Sequence, residues 1–180
     1  MVYVSRRKGR SHFDARSVHG VREHGKMART PLAAFFNIPI MTSEPIRVLV
    51  LCTGNSCRSI MAEALINHLG QGRYHACSAG SHPTGEVHPR SITTLQRHGV
   101  NPGQPRSKSW NDMTNTAFDL IITVCDQAAG EPCPIFPGQP QILHWSIPDP
   151  GKATGTDTEI NAAFNQAFFL LKERIEALRT

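Results

Sequence analysis

Cys52-Thr53-Gly54-Asn55-Ser56-Cys57-Arg58-Ser59 places a thiol and a guanidinium at the two ends of a short glycine-containing loop. Sulfur is a nucleophile, and the planar fork of an arginine grips two oxygens of a tetrahedral anion. An apolar run, Val48 to Leu51, leads into the loop, and a segment with helical apolar spacing follows it. The loop therefore joins a strand to a helix N-terminus, where backbone N–H groups and the helix dipole converge on one spot. This predicts an oxyanion cradle with Cys52 on its floor as the nucleophile. Arg58 grips the anion, and Thr53, Gly54, Asn55, Ser56, Cys57 and Ser59 complete the wall.

A free cysteine, with a pKa of about 8.5, is only roughly 3% thiolate at pH 7. A helix N-terminus and a neighbouring arginine are expected to lower that value and make the thiolate the main species. Ser59 has two roles open to it, donating its hydroxyl to the sulfur and capping the helix. Gly54 lets the backbone approach the ligand, and Asn55 tolerates a left-handed conformation. Cys57 is read as packing, since the pocket floor holds one cysteine. Attack on an oxyanion expels an oxygen that must be protonated. Asp149, before Pro150, is the candidate general acid, and Pro150 biases it toward an extended backbone.

Positioning these groups requires strands that end at a common edge. Ile46 to Leu51 reads as a strand covered on both faces. Ser59 to Leu69 reads as a helix with Met61, Ala64, Leu65 and Leu69 on one stripe and Gly70 as its stop. Tyr74 to Ser78 is a second strand. Pro89 to His98 is a second helix, with Ile92, Leu95 and Thr94 inward and Gly99 as its stop. Phe118 to Val124 is a β-branched third strand ending at Cys125. Gln141 to Trp145 is a fourth, and Thr158 to Leu178 is a helix with Ile160, Phe164, Phe168, Leu171, Ile175 and Leu178 on one face. Alternation of this kind makes an α/β fold, an open four-stranded parallel sheet flanked by helices that binds ligands at the carboxyl ends of its strands. Cys52, Cys125 and Asp149 each follow a predicted strand and are expected to converge there.

The net charge of +5 is unevenly placed along the 180 residues. Residues 1–40 carry eight Lys/Arg against two acids; from Met41 onward there are eleven Lys/Arg and twelve Asp/Glu. The basicity belongs to the leader, so nucleic acid is not the expected partner of the folded body. Lacking apolar periodicity, residues 1–44 are expected to be a disordered basic extension, and residues 45–180 the single domain. Pro31 to Phe36 makes a short apolar stretch broken by Asn37 and Pro39, a poor targeting segment. Met41-Thr42-Ser43-Glu44 reads as a natural beginning, with a dispensable extension before it. No apolar run is long enough to span a membrane.

The chain has five cysteines, an odd number, and no convincing secretion signal. This points to reduced thiols and a cytoplasmic location rather than a disulfide scaffold. A monomer is expected. Cys52 and Cys57 have four residues between them, but Cys125 and Cys133 have seven, which fits a structural zinc site poorly, so no metal is expected. The nine histidines are scattered and are assigned surface or packing positions.

Taken together, Cys52 to Ser59 with Met61-Ala62-Glu63, Cys77-Ser78-Ala79-Gly80, Ile121 to Cys125 with Cys133-Pro134, and His144-Trp145 before Asp149-Pro150 resemble arsenate reductases of the low-molecular-weight protein tyrosine phosphatase fold. The resemblance runs from about Ile46 to the C-terminus. The phosphatases of that fold share the loop and the Asp-Pro, but typically place tyrosine next, where Gly151 and Lys152 stand here, and they lack the later cysteine pair. The resemblance implies that Cys52 forms a covalent arseno-cysteine, that Cys125 displaces arsenite to give a Cys52–Cys125 disulfide, and that Cys133 then pairs with Cys125. It implies no bound cofactor, arsenate as substrate, and an external thiol reductant. That reductant is thioredoxin, or glutaredoxin with glutathione, since the second-to-third cysteine spacing is one residue longer than in thioredoxin-linked members. The segment from Asp126 to Pro132 is expected to be a loop that refolds. Some members hold potassium with the equivalents of Asn55, Glu63, Ser78 and a later aspartate. Ser109 stands at the last position with Lys108 beside it, so an ammonium is expected to replace the cation. Two other readings remain: a tyrosine phosphatase, and a non-catalytic oxyanion or arsenical sensor whose basic leader grips nucleic acid.

Overall fold

The computed structural model describes residues 44–130 and 134–178, all within the unit Thr42–Thr180. The expected disordered extension and Cys133 lie outside the described residues. Four strands, β1 (Ile46–Cys52), β2 (Tyr74–Gly80), β3 (Leu120–Thr123) and β4 (Gln141–His144), form one parallel sheet in the order β2-β1-β3-β4. The helices are α1 (Arg58–Leu69), α2 (Pro89–Arg97), α3 (Asp126–Gly130) and α4 (Asp157–Ala177).

The unbroken apolar run of β1 is explained by its burial on both faces. Val48 and Val50 pack into the larger core with Met61, Leu65, Phe164 and Leu171, whereas Leu49 and Leu51 join Ala79, Phe118, Ile121 and Phe136 on the other side. Side chains alternate across a strand, so covering both faces requires both sets to be apolar. α4 packs against α1 and α2, burying Phe164, Phe168, Leu171 and Ile175 at steps of three and four. Thr156 and Glu159 close its N-terminus in a reciprocal capping box.

Strand order sets the position of the site. The chain runs from β1 to β2 on one side, then crosses to β3 and β4 on the other. The sheet therefore switches direction between β1 and β3, and the crevice at such a switch is where α/β sheets take ligands. Cys52 ends β1, and Cys125 follows β3 by two residues.

Three local expectations need correction. The start of the expected loop Asp126–Pro132 is helical, because Asp126 to Gly130 forms α3, with Asp126 in its first turn where a carboxylate suits the dipole. Gly70 does end α1, but in a right-handed conformation, and the positive φ of 49° falls on Gln71. α1 buries more than a stripe: Ile60, Ala62 and Ile66 are also buried, since β-sheet and helices enclose it from several sides.

Candidate active site

Cys52, 3% exposed, sits beneath the turn that leads into α1. Its Sγ lies 2.9 Å from Ser59 Oγ and receives the Asn55 N–H at 3.1 Å. Asn55 reaches that geometry with a φ of 42°, the left-handed conformation expected of it. Asn55 Nδ2 donates to both Ser59 Oγ and Ser78 Oγ at 2.9 Å. Ser59 Oγ thus accepts from Asn55, and its own proton is free to point at the sulfur. Of the two roles open to Ser59, the structure has the sulfur contact; Cys57 occupies the N-cap position of α1 and makes no side-chain cap.

The polar chain continues to the surface. Ser78 Oγ donates to Glu63 Oε2, Lys108 Nζ lies 3.4 Å from the same oxygen, and the Lys108 N–H donates to Asn55 Oδ1 at 2.7 Å. Asn55, Ser59 and Ser78 are fully buried, and buried polar atoms need such partners. Gly80 makes room for the loop. A Cβ there would stand 2.4 Å from the Thr53 carbonyl oxygen and 3.0 Å from Asn55.

Arg58 opens α1 and turns across the mouth of the cradle. Its two Nη atoms donate to the Ile147 carbonyl at 3.0 Å and to Asp149 Oδ2 at 2.7 Å. The other oxygen of Asp149 accepts the Gly151 N–H at 3.1 Å, capping a short turn over Pro150–Lys152. A cleft of about 240 Å³ is lined by Cys52, Gly54, Asn55, Ser56, Cys57, Arg58 and Asp149, with Thr84, His88, Gly151 and Lys152 around them. A second cleft of about 480 Å³ shares Gly54, Arg58, Thr84, Asp149 and Lys152 with it and adds Thr53, His82, Cys125 and Asp126. Cys125 is buried, with its Sγ 3.5 Å from Thr53 Oγ1 and receiving the Ala128 N–H at 3.4 Å.

The expected depression of the Cys52 pKa is overturned. Burial pushes this thiol above its ordinary value; the Ser59 and Asn55 hydrogen bonds and the Arg58 charge oppose that without offsetting it, and Cys125 adds to the rise. Of these contributions the Arg58 charge is the smallest. Burial likewise pushes Cys57 up to about 11, which keeps it a thiol at neutral pH and agrees with its reading as packing.

The family described as low molecular weight phosphotyrosine protein phosphatase matches residues 47–180. The chain belongs to this family. An arsenate reductase of Bacillus licheniformis is 37% identical over 131 residues, covering 72% of this chain and 91% of the relative. Among solved structures, an arsenate reductase in the phosphate binding state shares the phosphatase-family fold at a TM-score of 0.62 and 28% identity, over 74% of this chain and 95% of the other. The Corynebacterium glutamicum thioredoxin-dependent arsenate reductase aligns at a TM-score of 0.54 and 29% identity, over 76% of this chain and 64% of that one.

Within this phosphatase-family framework the structure brings together Cys52, Thr53 to Ser59, Cys125 and Asp149 at the carboxyl edge of the sheet. Sequence reasoning overlooked His82, which lines the second cleft, and two further histidines. His88 Nδ1 accepts the Arg90 N–H at 3.2 Å to cap α2, and the residue lines the first cleft. His144 ends β4 and bonds to Thr123 and Asp126, on either side of Cys125. Their signals, a histidine just before the N1 proline of a helix and one at a strand end, are visible in the chain but common. Among the described residues no group of three or more His, Cys, Asp or Glu is arranged to hold a metal, and no helix is long and apolar enough to cross a membrane.

Proposed function

We propose that the protein reduces arsenate to arsenite, with residues 45–180 as the working domain and residues 1–44 as an extension dispensable for it. The observation that carries this reading is a second buried thiol at the cradle. Cys125 follows β3, sits beside Thr53, and lines a cleft that shares Gly54, Arg58 and Asp149 with the anion site. The kinship with proteins named arsenate reductases supports it.

Arsenate enters the cradle, where Arg58 and the loop N–H groups hold its oxygens. The Cys52 sulfur attacks arsenic as its thiol proton passes to the arsenate oxyanion, and Asp149 protonates the departing oxygen, which leaves as water. Cys125 then attacks the arsenic-bearing Cys52 sulfur: an S–S bond forms, the S–As bond breaks, and its electron pair passes to arsenic, reducing As(V) to As(III). Cys133 exchanges onto Cys125 and frees Cys52. An external dithiol reductant, of thioredoxin or glutaredoxin type, reduces the Cys125–Cys133 pair.

The phosphatase reading has one observation in its favour, the shared placement of Cys52, Arg58 and Asp149 in a phosphatase family. Against it, no Phe, Tyr or Trp among the described residues lines either cleft to stack on an aryl ester. One paired assay separates the readings. Wild type and Cys125→Ser are compared for arsenate reduction with a thiol relay and for aryl phosphate hydrolysis. The variant is expected to lose arsenate turnover and keep any phosphatase activity, and Cys52→Ser to lose both. Equal arsenate turnover in wild type and Cys125→Ser would refute the relay. A sensor would show neither activity in any form.

A further inference from the structure

His144 lines neither cleft, yet both of its ring nitrogens are engaged beside the second thiol. Nδ1 lies 2.8 Å from Thr123 Oγ1 on β3, and Nε2 lies 3.0 Å from Asp126 Oδ1 on the first residue of α3. Ser146 also hydrogen-bonds to the Asp126 side chain. The imidazole thus spans the two ends of the turn 123–126 that carries Cys125. Thr123 is anchored, because it pairs with His144 in the parallel register and its carbonyl accepts the Trp145 N–H at 2.8 Å. The Asp126 end is tied by the ring and by Ser146.

The sulfur itself is weakly held. Its contacts to Thr53 Oγ1 at 3.5 Å and the Ala128 N–H at 3.4 Å are of ordinary length for sulfur, a weak donor and acceptor, so its direction follows from the backbone on either side. The ring suits a strut rather than a proton carrier. As neutral imidazole, Nε2–H donates to Asp126 and Nδ1 accepts from the Thr123 hydroxyl. As imidazolium, Nδ1–H donates to Thr123, whose own hydroxyl turns to the Leu143 carbonyl 3.4 Å away. Either protonation state joins the same residues.

We propose that His144 is a positioning residue for Cys125: it fixes the turn 123–126 so that this sulfur faces the cradle, and its loss slows the attack on Cys52 without weakening anion binding. The chemical part rests on the arsenate reading above, and the step affected is the one in which the S–S bond forms as the S–As pair returns to arsenic. The geometric part does not depend on that reading.

The test uses the full chain as wild type, His144→Ala, Asp126→Ala, the double variant, His144→Gln and Thr123→Val. Single-turnover arsenate reduction, read as arsenite released on excess protein, is expected to slow about tenfold to a hundredfold in His144→Ala, the range that a small misplacement of a reacting group produces. The double variant should be no slower than the singles, and His144→Gln should recover part of the rate by keeping a donor to Asp126. Protection of Cys52 from iodoacetamide by inorganic phosphate should stay within about twofold of wild type, as expected of a site the strut does not touch. In the absence of arsenate, labelling of the buried Cys125 should rise by about threefold or more as the turn loosens. Unchanged Cys125 labelling in both His144→Ala and Thr123→Val, or phosphate protection falling in step with the relay, would overturn the proposal. A wild type inert to arsenate would sink the reductase reading and leave the labelling result to decide the strut.

Discussion

Asp149 Oδ2 stands 2.7 Å from the Arg58 guanidinium, so the candidate acid and the anion-gripping cation hold each other across the mouth of the cradle. An arriving anion must share that guanidinium with a carboxylate already bound to it. Asp149→Asn removes the competing charge while keeping the shape. Phosphate is expected to protect Cys52 from alkylation with about fivefold higher affinity, the factor carried by ~1 kcal/mol for a partly exposed pair. Turnover with arsenate should fall by about 10² to 10⁴, as losing a general acid does. Weaker phosphate binding together with unchanged turnover would show that the pair is only structural.

The raised pKa of Cys52 makes its reactivity a rising function of pH. At neutral pH the sulfur is mostly thiol, and its alkylation rate should climb as pH rises through the elevated pKa, above the ordinary value of 9.0. Ser59→Ala removes a hydrogen bond that lowers the pKa, so the curve should move further toward alkaline pH. A hydrogen bond of about 1 kcal/mol corresponds to roughly a fivefold slower labelling at pH 7. Labelling rates across the pH range by mass spectrometry give both numbers, and a profile that is flat below pH 8 would contradict the burial argument.

Lys108 places an ammonium on Glu63, at the surface end of the chain that leads to Cys52. Turnover is therefore expected to be the same in sodium and potassium buffers. Lys108→Met should lower stability by about 1 kcal/mol, since the pair is only partly buried. The same substitution should make turnover respond to potassium. Strong potassium activation of the unaltered protein would show that the ammonium does not replace a cation.

Gly80 ends β2 against the back of the loop. Gly80→Ala drives a methyl group to 2.4 Å from the Thr53 carbonyl, and backbone cannot yield as a side chain can. A loss of about 1 to 3 kcal/mol in denaturant unfolding is expected, the usual cost of overpacking. Phosphate protection of Cys52 should fall as well, because Thr53 and Asn55 belong to the cradle.

Much of this arrangement was legible from residue types. The strand positions followed from apolar runs, and the convergence of Cys52, Cys125 and Asp149 followed from each lying after a strand. The Cys52 pKa was not legible, because burial is a property of packing and appears in no local pattern. α3 was missed since five residues containing Gly130 carry no helical period, and its start depends on the turn after β3. Gly80 and His144 were missed as site residues for a similar reason: a glycine or a histidine at a strand end becomes informative only when its neighbours across the sheet are known.

The chain from Cys52 through Ser59, Asn55, Ser78 and Glu63 to Lys108 is wired donor to acceptor at each link. Losing one member strands a polar group on a neighbour, at a cost of about 1 to 3 kcal/mol when that neighbour is buried. These positions are therefore expected to change as a block. Across divergent descendants they should be exchanged together or kept together, so that the outermost residue, a surface lysine, tracks the identity of groups packed around the nucleophile.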